Sequence, residues 1–164
     1  MINKLLTLTF MALIFVLSSP SWSYDVAAAQ AYGEMFANVK GAASGKNLHL
    51  LPADKLITRI KKQEPFVVLD IRTPRELSTI GVTLPGTLNI PLDQLFTPQS
   101  LGALPEDIPV YIMCQSGIRS TAAATALRHI GFSNIYVVKG GLKAMINYLG
   151  PKQAYAPLKP KVKK

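Results

Sequence analysis

Apolar positions fall into two kinds of run along this chain. Four runs are short and nearly continuous: Phe66–Ile71, Thr87–Ile90, Ile108–Met113 and Ile135–Val138. Such runs suit strands buried on both faces, as in a parallel sheet. Between them the apolar residues space themselves for helices. Leu56, Ile57 and Ile60 share one face, with Lys55, Arg59, Lys61 and Lys62 off it, and Pro52 suits the first helical position. Thr73 can cap a short helix with Pro74 at N1 and Glu76 early in it. Residues Ser120–Ile130 form a further helix, with Ala123, Ala126, Leu127 and Ile130 at i, i+3, i+4 and i+7, stopped by Gly131. Leu92–Phe96 predicts a helical turn, and Gly140-Gly141 leads into a closing helix, Leu142–Tyr148, ended by Gly150-Pro151. Strands alternating with helices predict an α/β fold: an open parallel sheet with helices on both faces.

The N-terminus departs from this pattern. Leu5–Leu17 is apolar apart from threonines, follows Lys4, and is broken by Ser18, Ser19 and Pro20. With small residues at Ser21 and Ser23, residues 1–23 read as a secretory signal peptide cut after Ser23. The alternative is a retained anchor, but the run is shorter than the roughly 20 residues a spanning helix needs. Residues 24–47 read as an N-terminal extension, with a short helix near Ala27–Phe36 and loop from Gly41 to Lys46. The domain proper covers residues 48–150. Residues 151–164 form a basic Pro/Lys-rich tail, expected to be disordered.

Charge and cysteine content then narrow the function. The net charge of +9 lies mostly at the ends: Lys4, Lys152, Lys159, Lys161, Lys163 and Lys164 leave residues 24–150 at only +3. A nucleic-acid partner is therefore not expected; the tail could contact a membrane surface or an acidic protein weakly. Export to the periplasm or beyond favours paired cysteines, yet the chain has one, Cys114. A lone thiol there is accidental, half of an intermolecular bond, or a working nucleophile.

Its position favours the last. Ligands of open α/β sheets bind beyond the carboxyl ends of the strands, and Cys114 stands at such an end. Gln115, Ser116, Gly117, Ile118 and Arg119 follow as a tight loop before a helix. Backbone N–H groups turned inward at a helix start stabilise an anion, here a thiolate. Gly117 permits unusual backbone angles, Ser120 can cap the helix or donate to the sulfur, and Arg119 supplies a cation for an anionic substrate. Asp70 and Arg72 suit an ion pair bracing the loop, and Glu76 suits the same bracing. Only four residues separate Cys114 from Arg119. Cysteine phosphatases have five and a preceding His, where this chain has Met113, so sulfur rather than phosphorus is the expected electrophile.

The loop Cys114-Gln115-Ser116-Gly117-Ile118-Arg119-Ser120 resembles the active-site loop of the rhodanese sulfurtransferases. Three other stretches agree in order: Asp70-Ile71-Arg72-Thr73-Pro74-Arg75-Glu76-Leu77, Leu84-Pro85-Gly86-Thr87-Leu88-Asn89-Ile90-Pro91 and Gly140-Gly141-Leu142-Lys143-Ala144. Two features depart from the family pattern: Gly81-Val82-Thr83-Leu84 lacks the usual His and is one residue longer, and Met145 stands where a Trp is usual. The resemblance implies a rhodanese-like fold and a ping-pong thiosulfate (or other sulfane) sulfurtransferase working through a persulfide on Cys114. It implies a small sulfur-anion donor, a thiol, cyanide or protein acceptor, and neither metal nor organic cofactor. Two rival readings are a non-turnover persulfide carrier docking on one partner, and a thiol phosphatase or arsenate reductase on the same fold.

Overall fold

Each of the four apolar runs contains a strand, but only Ile135–Val138 is strand from end to end; the others are trimmed to Val67–Asp70, Leu88–Asn89 and Val110–Met113. A computed structural model describes residues 23–155. The segment read as an export signal, apart from Ser23, and the tail beyond Tyr155 lie outside the described residues. Two compact units divide at Met35/Phe36, and each is described by itself. The first holds all but the last residue of α1 (Val26–Phe36), which starts behind Asp25, whose carboxylate accepts the Ala28 N–H at 3.0 Å.

The second unit holds a sheet of β1 (Leu50–Leu51), β2 (Val67–Asp70), β3 (Leu88–Asn89), β4 (Val110–Met113) and β5 (Ile135–Val138). All neighbours are parallel, in the order β1-β5-β4-β2-β3. The expected α/β class with an open parallel sheet is therefore what the chain adopts. Its helices are α2 (Ser44–Asn47), α3 (Ala53–Lys61), α4 (Pro74–Thr79), α5 (Pro98–Gly102), α6 (Ile118–His129), α7 (Gly141–Tyr148) and α8 (Pro151–Tyr155).

Alternation along β4 builds the core on both faces. Val110, Ile112 and Cys114 point to one side, where they meet Leu69, Ala123, Ala124 and Leu127. Tyr111 and Met113 point to the other, against Leu56, Ile57, Leu142 and Met145. Thus α6 covers one face, and α3 with α7 covers the other. Burying a Leu or Ile side chain contributes about 1.5–3 kcal/mol, so these two layers hold the C-terminal edge of β2 and β4 rigidly.

Several expectations need correction. Strand β4 begins at Val110 rather than Ile108, because Pro109 has no N–H for the ladder; its carbonyl accepts the Val67 N–H at 3.0 Å. Pro52 is the cap of α3, not its first residue. Helix α6 starts at Ile118, and its buried face carries Ala123, Ala124 and Leu127; Ile130 is exposed past its end. Residues 41–46, expected as loop, contain a 3-10 turn (Gly41–Ala43) and most of α2. The tail, expected to be disordered throughout, begins with α8, led by Pro151 and tied through the Gln153 carbonyl to the Lys61 ammonium. No helix among the described residues is long and apolar enough to cross a membrane.

Candidate active site

The sequence brings Cys114 to the carboxyl edge of β4 beside the same edge of β2, with Asp70 opposite Met113 in the register. The loop after Cys114 must then turn into α6. Gly117 makes that turn with φ of 91°, a left-handed conformation costly to residues with a Cβ, and serves as the α6 cap.

The orientation of the loop peptides follows from what their carbonyls do. The Leu142 N–H donates to the Cys114 carbonyl at 2.9 Å, and the Lys143 N–H donates to the Gln115 carbonyl at 3.0 Å. No peptide bond among the described residues is cis. In a trans peptide the N–H points opposite the C=O, so carbonyls drawn toward α7 leave the following N–H groups facing the sulfur side. The N–H groups so turned are those of Gln115 and Ser116, the second of which is among the donors that favour the thiolate; the Gly117 N–H, in the next peptide, also donates to Cys114 Sγ at 3.2 Å. This contact between α7 and the loop demands the Gly-Gly pair. A Cβ on Gly141 would stand 2.2 Å from the Cys114 carbonyl oxygen and 2.8 Å from the Gly117 nitrogen.

Cys114 is fully buried. Burial pushes its thiol pKa up, but the Ser120 hydroxyl and the N–H groups of Ser120, Ser116 and Gly117 outweigh that and hold it below the ordinary value. The Ser120 hydroxyl is the one buried side-chain oxygen or nitrogen among the described residues without a regular hydrogen-bond partner. The sulfur is the group it influences. Because α6 begins at Ile118, Ser120 lies in its first turn and is not the cap that the sequence suggests.

Two ion pairs flank the loop, and they are separate. Arg72 Nε lies 3.0 Å from both Asp70 oxygens and Nη2 2.7 Å from Oδ2, and the Arg72 N–H adds a further bond at 3.1 Å. Both side chains are buried. Glu76 does not join this pair; it binds Arg119, with Nη1–Oε2 at 2.9 Å and Nη2–Oε1 at 2.5 Å. Glu76 also closes a capping box with Thr73, accepting its N–H at 2.9 Å. Arg119, and after it the Thr73 N–H, hold the Glu76 carboxyl at a pKa of about 2. Glu76 and the Cys114 sulfur raise the pKa of Arg119 in turn. The sequence reading aimed Arg119 at substrate; here its guanidinium is engaged by Glu76. Gln115, Ser116 and Ile118 face solvent from the loop.

Sequence reasoning missed two contributors. One is the pair of α7 amides that orients the loop, for which Gly140-Gly141 was the available signal. The other is the link Thr73–Glu76–Arg119, foreshadowed by the Thr-x-x-Glu spacing of a capping box. Among the described residues no cluster of three or more His, Cys, Asp or Glu side chains could hold a metal ion.

Comparison with known proteins agrees with this geometry. The model of the rhodanese-like domain family matches residues 52–147. An uncharacterized protein of Bacillus subtilis, YqhL, is 42% identical over 76 residues, 46% of this chain; the chain spans only 57% of that relative's length. A sulfurtransferase of Allochromatium vinosum is 31% identical over 94 residues, 57% of this chain and 84% of its own. Among solved structures, a rhodanese-related protein of Thermoplasma volcanium superposes with a TM-score of 0.51 at 31% identity, covering 60% of this chain and 91% of that one.

Proposed function

Because the chain belongs to the rhodanese-like domain family, we propose that it transfers sulfane sulfur through a persulfide on Cys114. The observation that carries this reading is the sulfur's surroundings. It is buried, faced by the Gly117 N–H at 3.2 Å, and held toward the thiolate by Ser120, Ser116 and Gly117. A small loop of donors fits one extra sulfur atom. With four residues between Cys114 and Arg119, it is a narrow cradle for three phosphoryl oxygens.

In the first step the Cys114 thiolate attacks the outer sulfur of a sulfane donor. With thiosulfate, the new S–S bond forms as the old one breaks, and sulfite leaves with the bonding electron pair. The persulfide anion replaces the thiolate within the same N–H donors, so charge is conserved and no group need move far. In the second step an acceptor nucleophile (cyanide, a thiol or a protein thiol) attacks the outer sulfur and Cys114 leaves as thiolate. This is covalent catalysis with ping-pong order. The apolar run at residues 5–17 supports a further part of the reading, export from the cytoplasm; recovery of the full chain only in the cytoplasmic fraction would exclude it.

Intact-mass measurement after thiosulfate treatment tests the persulfide. The reduced wild type is expected to gain one sulfur atom and Cys114→Ser none. A wild-type mass unchanged by thiosulfate and by an organic persulfide rejects the reading.

A further inference from the structure

We propose that the Glu76–Arg119 pair selects the sulfur donor, favouring a persulfide carried on an organic thiol over a compact dianion such as thiosulfate; this rests on the sulfur-transfer reading above. A site built to recruit a dianion would leave its guanidinium open. Here both terminal nitrogens of Arg119 are taken up by the two oxygens of Glu76, a bidentate arrangement that satisfies the planar fork. The pair as a unit carries no net charge at neutral pH.

Displacing Glu76 from Arg119 does not remove its charge from the neighbourhood of Arg119. The carboxylate is anchored a second time by the Thr73 N–H at 2.9 Å and the Thr73 hydroxyl at 3.0 Å. An incoming dianion that takes Arg119 therefore meets a fixed negative charge beside it. An organic hydropersulfide brings at most one negative charge, against the two of thiosulfate. The remaining solvent-facing side chains of the loop, Gln115, Ser116 and Ile118, are uncharged. Ile118 is 78% exposed, and it offers apolar contact to an organic carrier immediately beside Arg119. Arg75 and Lys143 are cations near the loop, but both face solvent, where physiological salt screens them.

The transfer balances without a co-reactant. The Cys114 thiolate attacks the terminal sulfur of RS–SH, the Cys114 S–S bond forms, and the RS–S bond breaks. The organic thiolate leaves with the electron pair and takes up the proton released from the transferred sulfur, so that Cys114 holds a persulfide anion and the carrier departs as RSH.

The test measures loading of Cys114 by intact mass at neutral pH and physiological salt. The donors are thiosulfate and 2-hydroxyethyl hydropersulfide, whose carrier is uncharged, and the proteins are the wild type and Glu76→Gln. Gln keeps an acceptor oxygen for the capping box, while the charge and the second acceptor that holds Arg119 Nη2 are lost. The ratio of thiosulfate to hydropersulfide loading rates is expected to rise about tenfold in Glu76→Gln, as neutralising a nearby like charge should allow. A wild type that loads while Glu76→Gln leaves that ratio unchanged or lower overturns the selectivity; a wild type loaded by neither donor overturns sulfur transfer itself. A second measurement needs no variant. Sulfate, matching thiosulfate in shape and charge, should protect wild-type Cys114 from iodoacetamide only well above about 1 mM, and protection below that overturns the proposal.

Discussion

The Leu142 amide donates to the Cys114 carbonyl at 2.9 Å, and that bond couples the first turn of α7 to the reactive loop. Helix α7 thereby does more than cover the sheet. It fixes which side of the loop carries carbonyls and which carries N–H donors, and so it sets the chemistry at the sulfur. The glycines that permit the contact act on function through backbone proximity, without any side chain near the reaction.

Substituting Gly141 by Ala should therefore damage loop and fold together. The added Cβ would overlap the Cys114 carbonyl oxygen at 2.2 Å, backbone that cannot move aside alone, and φ of 57° adds strain. A loss of about 3 kcal/mol or more is expected in urea unfolding, with Cys114 loading slowed at least tenfold in whatever folds. Gly131→Ala is the control: φ is 114° there, but nothing lies within 4 Å, so only a strain of about 1–2 kcal/mol is expected and loading should persist.

The Asp70–Arg72 pair makes a different prediction. Arg72 is 1% exposed and Asp70 fully buried, so removing either partner strands a buried charge. Asp70→Ala should cost about 3–5 kcal/mol. Replacing both, with Asp70→Leu and Arg72→Met, should cost less than the sum of the single changes, and a double-mutant cycle by urea denaturation measures the difference. Additive losses would show that the two side chains do not act as a pair.

Much of this fold is legible in the sequence because period and punctuation agree. The run Ile135–Val138 matches β5 end to end, since Asn134 and Lys139 bound it with polar residues. The Thr73-Pro74 start predicts α4, and the same logic would have found α5, where Thr97 caps and Pro98 follows. That helix and the two-residue β1 are too short to show a period. At the site, Cys114 is legible from its place at a strand end. The partner of Arg119 is not, because Glu76 lies 43 residues away and only the sheet order brings α4 beside α6. The separate roles of Asp70 and Glu76, only six residues apart in sequence, are equally a product of tertiary placement.

Cys114 should ionise more readily than an ordinary thiol, because the hydroxyl and N–H donors around the sulfur outweigh the opposing effect of burial. Ser120→Ala removes the hydroxyl, the largest of the favourable influences. The pH profile of iodoacetamide alkylation is expected to shift to higher pH in that variant, with a several-fold slower rate at pH 7. An acid whose pKa is lowered on folding stabilises the fold above its unfolded value and loses that contribution as pH falls through the folded one. The wild type should therefore gain more stability than Ser120→Ala as the pH is raised through this range. Superimposable alkylation profiles would remove Ser120 from the account of the thiolate.

Glu76 gives the same linkage in an acid range. Its carboxyl is lowered from 4.5 to about 2 by Arg119 first and by the Thr73 N–H next. The contribution is present in full above pH 4.5, declines below it, and is gone once the pH has fallen through about 2. Glu76→Gln keeps the capping geometry but not the charge, so its melting temperature should lie below that of the wild type near neutrality. The gap should close as acid protonates the wild-type carboxylate. Because both side chains are about one-third exposed, salt should narrow the gap at neutral pH as well. A gap that persists unchanged down to pH 2 would mean that the substitution acts through packing or the cap, and that the charge of Glu76 contributes nothing to holding Arg119.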